Sequence, residues 1–330
     1  MNYVGIDISK NSFVVAFSYE KNTKTQSYKN TPEGVRKFIK SLDKEQHHCV
    51  MEATGNYCFL LLYMLVEQGY RASLINPKQI KYFAKAALSV TKTDPQDALL
   101  LALYGKRFEP ELYKMPSESI ILLKQKRTAI RQLKKQRIAS QNLKKSIEVL
   151  PYKDKKTIKV LNTTIDFLNN QVKNLEKELF DIASSDFQKQ ISLLTSIKGI
   201  GMTVATSLII ATGGFSFFEN PKQISRYIGI CPTYQQSGTS VNIKGSINRN
   251  GDTSLRSMMF LASITAIRCN SACKEFYTNL KDKGKPSKLA LIAVANKLIR
   301  QAFAVVKSEI PYQDGFVSLA PNQKQINYNA

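Results

Sequence analysis

Four acidic side chains in the first hundred residues have the type and spacing of a site for phosphate chemistry. Asp7 lies within an otherwise apolar segment, and Glu52 comes directly after a second apolar segment. Asp94 and Asp97 stand three residues apart at the start of a predicted helix, so they share one helix face. Carboxylates that converge repel one another unless cations balance them, and hard oxygen ligands favour Mg²⁺ or Mn²⁺. The pattern therefore indicates a metal site for phosphodiester chemistry.

Two other interpretations fit parts of this pattern. Asp94 is also suited to be a helix N-cap, and Asp97 to complement the helix dipole in the first turn. Asp7 is harder to explain structurally, because an unpaired carboxylate buried in a strand is costly. Residues 5–10 also compare with the phosphate loop of sugar kinases and actin-like ATPases. That loop needs glycines after the aspartate, where this chain has isoleucine and serine, so the metal site is favoured.

A glycine-framed turn at residues 197–201 is the second feature with chemical meaning. Gly199 and Gly201 separate two predicted helices, and apolar residues flank the turn on both sides. Backbone amides in such a turn, aided by the following helix N-terminus, can bind a DNA phosphate without reading bases. The pattern resembles a helix-hairpin-helix and makes Lys198, Gly199 and Gly201 candidate nucleic-acid contacts. An ordinary glycine-closed turn between helices is the alternative.

Hydroxyls, glycines and cations are dense in a third segment, residues 234–256. A serine of this segment, close to Lys244, Arg249 and Arg256, has the chemistry to attack phosphorus while the cations hold the phosphate. The local signal is weak, because serines in glycine-rich loops are usually turn formers and no histidine is nearby to act as a base. Local sequence does not separate Ser237 from Ser240.

The charge balance favours a nucleic-acid partner. The chain has 48 Lys and Arg against 25 Asp and Glu, a net charge of +23. Residues 106–159 hold 16 basic and 5 acidic residues, so nearly half of the excess lies in one sixth of the chain. A membrane surface attracts such segments too, but we expect no membrane association, since no signal peptide, lipidation motif or apolar run of transmembrane length is apparent. The expected location is the bacterial cytoplasm, with the nucleoid.

Cysteine and histidine usage argues against zinc. The five cysteines are odd in number and scattered, and the chain has only two histidines. Cys269 and Cys273 lie four residues apart, but a zinc site there is disfavoured for want of further ligands. We expect buried free thiols.

The order of predicted elements defines the fold class. Residues 3–29 predict three short strands in a meander, and alternating helices and strands follow up to about residue 110. Such an order is typical of a mixed sheet with helices on both faces, an α/β domain. The stretch 118–184 is helical, and from about residue 187 a third, helix-rich region begins, with loops near 213–221 and 229–252. The tail beyond Pro311 is polar and expected to be loose.

The helical stretch contains the most regular pattern in the chain. Its second half has apolar residues at alternating steps of three and four: Ile158, Leu161, Ile165, Leu168, Val172, Leu175, Leu179 and Ile182. This seam indicates a coiled coil, within one chain or between two, with a plain amphipathic helix of a bundle as the alternative. Pro151 separates this half from a more basic first half. The sequence therefore predicts an antiparallel helical hairpin.

Together, and in this order, these motifs resemble the IS110 family of insertion-sequence transposases, which is related to the Piv DNA invertases. The motifs that carry the resemblance are Gly5-Ile-Asp7, Met51-Glu-Ala-Thr-Gly-Asn56, Asn76-Pro77, Lys92-Thr-Asp-Pro-Gln-Asp97, Ile197-Lys-Gly-Ile-Gly201, Gln236-Ser-Gly238 and Ser254-Leu-Arg256. The resemblance implies a RuvC-like domain of the RNase H fold over residues 1–112, carrying an Asp-Glu-Asp-Asp tetrad. It further implies a basic coiled-coil connector over 113–186, a helical transposase domain over 187–312, and a flexible tail over 313–330.

The same resemblance implies a mechanism and partners. Its tetrad falls on Asp7, Glu52, Asp94 and Asp97, and its serine nucleophile on Ser237. The implied reaction cuts and rejoins donor and target DNA through a phosphoserine intermediate, with Mg²⁺ or Mn²⁺ at the tetrad. The implied partners are a structured guide, the bridge RNA, and further copies of the chain, as dimers that assemble into a tetramer. The residues leave two rivals open: a metal-dependent Holliday-junction-type nuclease without a serine step, and a non-catalytic nucleic-acid-binding protein.

Overall fold

The computed structural model describes residues 1–20, 23–88, 93–237, 241–247 and 251–315, of which 233–237 and 241–246 are described by their backbone alone. The chain forms two compact units, Met1–Met115 and Pro116–Ala330.

The first unit is built on a five-stranded mixed sheet. Its strands are β1 (Asn2–Ile8), β2 (Ser12–Ala16), β3 (Gln26–Lys29), β4 (His47–Glu52) and β5 (Arg71–Ile75). The order in the sheet is β3-β2-β1-β4-β5. The β1-β2-β3 meander is antiparallel, whereas β1, β4 and β5 run parallel. The predicted mixed α/β architecture is confirmed.

Helices cover both faces of this sheet. They are α1 (Pro32–Ile39), α2 (Phe59–Glu67), α3 (Pro77–Ala86) and α4 (Asp94–Phe108). Thr31 caps α1 by accepting from the Gly34 amide, and Asn76 caps α3 by accepting from the Lys78 amide. Side chains of α1 and α2 share one core with alternate strand residues such as Val4, Ile6 and Ile8. Side chains of α3 and α4 share a second core, on the opposite face, with Tyr3, Val50 and Ile75.

Two long helices open the second unit, α5 (Glu118–Glu148) and α6 (Lys155–Asp186). Ion pairs join Lys126 to Glu178 and Lys134 to Glu176, and Ser119 hydrogen-bonds Asp186. As the residue numbers of these contacts rise along α5, those of their partners on α6 fall, so the two helices are antiparallel. Asp154 caps α6 just after the connection. The predicted antiparallel hairpin is therefore present within one chain, and the eight apolar residues of its seam are buried or half-buried.

The remaining helices are α7 (Gln188–Thr195), α8 (Met202–Thr212), α9 (Pro221–Ile228), α10 (Thr253–Cys269), α11 (Ser271–Asp282) and α12 (Ser287–Ser308). They share one hydrophobic core with the hairpin, since Ile120, Leu123 and Val172 join Leu208, Met259 and Leu298 in a single buried cluster. The second unit therefore folds around one centre.

Two strands lie where loops were expected around residues 229–252. β6 (Pro232–Ser237) and β7 (Val241–Ile247) pair as an antiparallel hairpin. Their sequences, PTYQQS and VNIKGSI, contain few apolar residues. A strand with little apolar surface gives a weak period-two signal, which is why the sequence pattern missed this hairpin.

The expectation that no segment could span a membrane needs correction for α12. Ser287–Ser308 is long and apolar enough to cross a bilayer. Within the described residues, one helix meets this criterion. Its buried residues, including Val294, Leu298 and Ile299, lie in the core of the second unit. This is the behaviour of a core helix, so the composition is weak support for a membrane span.

All five cysteines are free thiols. Cys49, Cys58 and Cys273 are buried as expected, but Cys231 is half-buried and Cys269 is exposed, so the prediction was wrong for these two. Burial raises the pKa of the Cys49 thiol to about 12, which makes it unreactive at neutral pH.

Candidate functional site

Strand register places Asp7 and Glu52 side by side. In the parallel pair β1–β4, Ile6 lies opposite Met51. Asp7 and Glu52 are the next residues on each strand, so both lie at the carboxyl ends of neighbouring parallel strands. This edge of an open α/β sheet is where ligands commonly bind.

The two side chains also point to the same face of the sheet. Side chains alternate along a strand, so Asp7 shares the face of Tyr3, and Glu52 shares the face of Val50. Tyr3 and Val50 both belong to the core beneath α3 and α4. Asp7 and Glu52 therefore face the layer that contains α4, the helix on which the other two acids lie.

Gly5 allows α4 to lie directly on β1. A Cβ at Gly5 would stand 1.9 Å from the Ala98 carbonyl oxygen and 2.4 Å from the Ala102 nitrogen. Farther along the helix, a Cβ at Gly105 would stand 2.9 Å from the Tyr3 Cβ. Residue numbers thus fall along α4 as they rise along β1, and the N-terminal turn of α4 reaches the Asp7 end of the strand.

The electrostatics of Asp7 show that all four acids share one environment. Burial first, and then the negative charges of Asp97, Asp94 and Glu52 in that order, together raise the pKa of Asp7 to about 6. A hydrogen bond from the Ile8 backbone opposes the shift. Charges act on a pKa in this way only over short distances. The structure therefore brings Asp7, Glu52, Asp94 and Asp97 together at one edge of the sheet, which we call the carboxylate edge.

The donor set at this edge suits a hard divalent cation, because it consists of carboxylate oxygens. Within the described residues, however, no group of three acidic, histidine or cysteine side chains has the arrangement of a metal-binding cluster. The four carboxylates are close enough to repel one another but do not converge on a single point. Their carboxylate chemistry fits Mg²⁺ or Mn²⁺.

The helix-cap interpretation of Asp94 is wrong. Thr93 occupies the N-cap position of α4, and Asp94 is the first helical residue. The Asp97 amide donates to the Thr93 carbonyl at 2.8 Å, which closes the first turn. Asp94 is exposed and Asp97 is half-buried, so α4 presents both acids in its first turn, where the helix dipole also favours negative charge.

Two polar residues that were not among the predicted site residues hold the loops beside the carboxylate edge. Thr54 donates its hydroxyl to the Ile8 carbonyl at 3.4 Å, which ties the loop after β4 to the end of β1. The Asn30 side-chain amide donates to the Ser9 and Tyr57 carbonyls, both at 3.0 Å. The run Glu52-Ala-Thr-Gly was a visible signal for the threonine, whereas the asparagine is distant in sequence and left no local signal.

The glycine turn, Ile197–Gly201, joins α7 to α8 in the second unit. Gly199 has φ +108°, and a Cβ there would stand 2.7 Å from the Ala266 Cβ on α10. Gly201 is the N-cap of α8, and a Cβ there would meet nothing within 4 Å. A cavity of about 490 Å³ opens beside the turn. The backbone at Gly201 is thus approachable from outside, whereas Gly199 is packed against the unit.

Lys198 of this turn already has a partner. Its Nζ lies 2.9 Å from Oδ2 of Asp314, in the C-terminal segment. The ammonium group of Lys198 is therefore paired with a carboxylate of the same chain.

The segment with the candidate serine is described only in part. Ser237 is the last residue of β6, with its backbone opposite Val241, and Lys244 lies on β7 opposite Tyr234. Their side chains lie outside the described residues, as do Ser240 and Arg249 entirely. Asp7 and Ser237 belong to different compact units.

Arg256 and Asp252 stabilise the start of α10, which follows that segment. Arg256 donates to the Ile228 carbonyl and to the Thr253 hydroxyl, both at 3.1 Å. Asp252 caps α10 and pairs with Arg127 of α5. Burial alone would raise the pKa of Asp252, but the Leu255 amide and the Arg127 guanidinium outweigh it and hold the pKa below its usual value. Arg256 therefore has a structural role in this unit.

Comparison with known proteins points to one family. A transposase family model of the DEDD, IS110 type matches residues 4–150, and a model described as transposase IS116/IS110/IS902 family matches residues 191–278. The chain is 32% identical over 320 residues to the pilin gene-inverting protein of Moraxella bovis, covering 94% of this chain and 97% of that protein. A probable family 20 transposase of Pseudomonas aeruginosa is 24% identical over 162 residues, covering 48% of this chain and 47% of that protein.

Proposed function

This chain belongs to the IS110 family of transposases, and from that premise we propose that it cuts and rejoins DNA through a serine nucleophile assisted by its carboxylate edge. The family makes the protein a DNA transposase or recombinase. The observation that carries the proposal is the grouping of the four acids: strand register sets Asp7 beside Glu52, and close packing of α4 on β1 brings Asp94 and Asp97 to the same edge. Burial and these three neighbours raise the pKa of Asp7. Four acids close to one another suit phosphoryl transfer better than a purely structural role.

The carboxylate edge is proposed as the metal-binding half of the site. Asp7, Glu52, Asp94 and Asp97 would hold Mg²⁺ or Mn²⁺, which when bound supplies positive charge to offset the charge that develops on the phosphate and the leaving oxygen. The mixed sheet with its meander, parallel core strands and helices on both faces is compatible with a RuvC-like RNase H fold. We propose this fold for residues 1–112.

Ser237 is proposed as the nucleophile. Its hydroxyl oxygen would bond to a DNA phosphorus while the bond from phosphorus to the 3′ oxygen breaks, leaving a 5′-phosphoserine and a 3′-hydroxyl. The serine proton ends on that 3′ oxygen. After strand exchange, a 3′-hydroxyl attacks the phosphoserine, restores the phosphodiester and returns the proton to Ser237. Lys244 and Arg249 are proposed phosphate contacts, whereas Arg256 already bonds within its own unit.

Nucleic-acid binding is proposed for the glycine turn and the basic hairpin. Gly201 leaves backbone open for a DNA phosphate, and Lys198 supplies a cation. The basic excess over residues 106–159 suits a DNA or guide-RNA backbone. A bridge RNA would supply sequence specificity by base pairing, as in other guided systems. We further propose that residues 113–186 form a coiled-coil connector, residues 187–312 the transposase domain and residues 313–330 a tail. The protein is proposed to form dimers that assemble into a tetramer, and to lie in the cytoplasm with the nucleoid.

A covalent-adduct assay tests the proposal. Purified protein is incubated with labelled donor and target DNA, guide RNA and Mg²⁺, then denatured, and protein-linked label is measured. We expect an adduct that Ser237→Ala abolishes and Ser240→Ala retains. Asp7→Asn should abolish it as well, whereas Glu67→Gln, an acid on α2 across the sheet, should leave it intact. An adduct that persists in Ser237→Ala would overturn the nucleophile assignment.

Two other outcomes would point to the rival functions. Mg²⁺-dependent DNA hydrolysis that is lost in Asp7→Asn, without any adduct, would indicate a junction nuclease. Salt-sensitive binding without cleavage under any condition would leave a nucleic-acid-binding protein.

A further inference from the structure

The last described segment of the chain, residues 310–315, lies against the glycine turn, and we call it the strap. The Tyr312 amide donates to the Ser196 hydroxyl at 2.8 Å, just before the turn. The Tyr312 hydroxyl donates to Asn270 Oδ1 at 3.0 Å. Asp314 then reaches Lys198 within the turn. The strap is thus anchored both beside the turn and on it.

The Asp314 carboxylate has the partners that a phosphate would have. One oxygen accepts from Lys198 Nζ at 2.9 Å. The other accepts from the Ser271 amide at 3.3 Å and from the Ser271 hydroxyl. Ser271 is the first residue of α11, where the helix dipole favours an anion. An ammonium, a hydroxyl and a terminal helix amide together form a set that binds phosphate oxygens.

We propose that the strap is an autoinhibitory contact in which Asp314 takes the place of a DNA phosphate on Lys198. The proposal rests on the DNA-binding role proposed above for the glycine turn. Lys198 is the sole cation in the sequence Ile197-Lys-Gly-Ile-Gly201, so this turn offers no second ammonium to a phosphate. DNA must therefore displace Asp314 before it can bind Lys198.

The position of the strap allows it to leave without unfolding a helix. Helix α12 ends at Ser308, and Glu309 follows in a left-handed conformation. The strap begins after this break. Hydrogen bonds from Ser271 and Lys198 hold the pKa of Asp314 at about 2, so the carboxylate is charged throughout the neutral range. Protonation does not release it there, and a competing polyanion is required.

A charge-matched pair of variants tests the strap. Asp314→Asn removes the proposed phosphate mimic. Glu309→Gln removes an equal charge from an exposed residue that pairs with Lys189 rather than with Lys198. Binding of the full-length protein to a labelled DNA duplex is measured by fluorescence anisotropy over a range of salt concentrations. We expect Asp314→Asn to bind about 3–10-fold more tightly at low salt, with a salt slope steeper by about one. Glu309→Gln should change affinity less than about 2-fold.

Lys198→Gln separates the strap from the DNA-binding role of the turn. This variant should bind DNA more weakly, and the double variant Lys198→Gln with Asp314→Asn should show no gain over it. If Lys198→Gln weakens binding but Asp314→Asn matches Glu309→Gln, the strap proposal is wrong and the turn proposal survives. If Lys198→Gln has no effect, both are wrong. If Asp314→Asn lowers both the thermal midpoint and the affinity, the strap is merely structural and the proposal is also overturned.

Discussion

The carboxylate edge and the glycine turn both depend on close packing at a glycine, but the edge gathers negative side chains and the turn contains a positive one. At each, a glycine lets two elements approach more closely than any side chain would allow: Gly5 between β1 and α4, and Gly199 against Ala266 of α10. At the edge, the approach brings like charges together. At the turn, it presents a single cation, Lys198, which a carboxylate occupies. The edge thus gathers like charges, whereas the cation of the turn is paired with a carboxylate of the same chain.

The two aspartates at these places show the contrast in their protonation. Burial and neighbouring acids raise the pKa of Asp7 to about 6, whereas hydrogen bonds from Ser271 and Lys198 lower that of Asp314 to about 2. Ionised Asp7 destabilises the folded chain, and ionised Asp314 stabilises its contact. Negative charge at the edge is therefore not balanced by the acids around it, whereas the negative charge of Asp314 is balanced by Lys198 of the same chain.

Gly5→Ala should have the largest effect. The added Cβ would overlap backbone atoms of Ala98 and Ala102, which cannot rotate away, so α4 must move off β1. We expect the free energy of unfolding to fall by about 3 kcal/mol and DNA strand transfer to be lost. Urea unfolding and the covalent-adduct assay measure the two effects.

Gly201→Ala is the matched control, because its Cβ meets nothing within 4 Å and its φ is −90°. Because alanine is less favourable than glycine at a helix N-cap, it should cost no more than about 1 kcal/mol of stability. Equal effects of the two substitutions would mean that α4 does not pack on β1 in this way.

Gly199→Ala should have an intermediate effect. Its φ of +108° is strained for any residue with a Cβ, and that Cβ would press on the Ala266 side chain. We expect a loss of about 1–3 kcal/mol in unfolding free energy, together with weaker DNA binding. Gly284→Ala tests strain alone, since φ there is +71° and the space around it is open. If both variants lose the same stability, contact with Ala266 contributes nothing.

Asp7→Asn should have a smaller effect on stability than Gly5→Ala or Gly199→Ala, and of opposite sign. The folded state binds a proton on Asp7 more tightly than the unfolded chain does, so in metal-free protein stability falls as pH rises from about 4 through about 6. The neutral amide removes this loss. We expect about 1 kcal/mol more stability at pH 7, reduced from the full shift because Asp7 is partly solvated.

Thermal unfolding from pH 4 to pH 7 without divalent metal measures this effect. The variant should show a flatter profile than the parent chain while losing adduct formation. Identical profiles would show that burial of the Asp7 charge and its repulsion by the other three acids do not lower the stability of the folded chain.

Local sequence was enough for much of the fold because the signals lay within single elements. The apolar strands, the capped helices α1 and α3, and the seam of α6 all follow from periodicity and end signals. The hairpin β6–β7 was missed because its strands, PTYQQS and VNIKGSI, contain too few apolar residues to give a clear period-two signal. The cap assignment at Asp94 was wrong by one residue, since Thr93 has the extended backbone that the N-cap position requires.

The sequence by itself singled out the residues proposed to carry the chemistry: four acids, a glycine turn and a basic hairpin, each recognisable by residue type and spacing. Only the tertiary structure decided how they meet. Asp7 and Asp97 come together because Gly5 leaves room for α4 on β1, and Lys198 meets Asp314 across 116 residues. Such contacts depend on packing between distant elements, and local periodicity contains no information about which distant side chain will arrive at a given position.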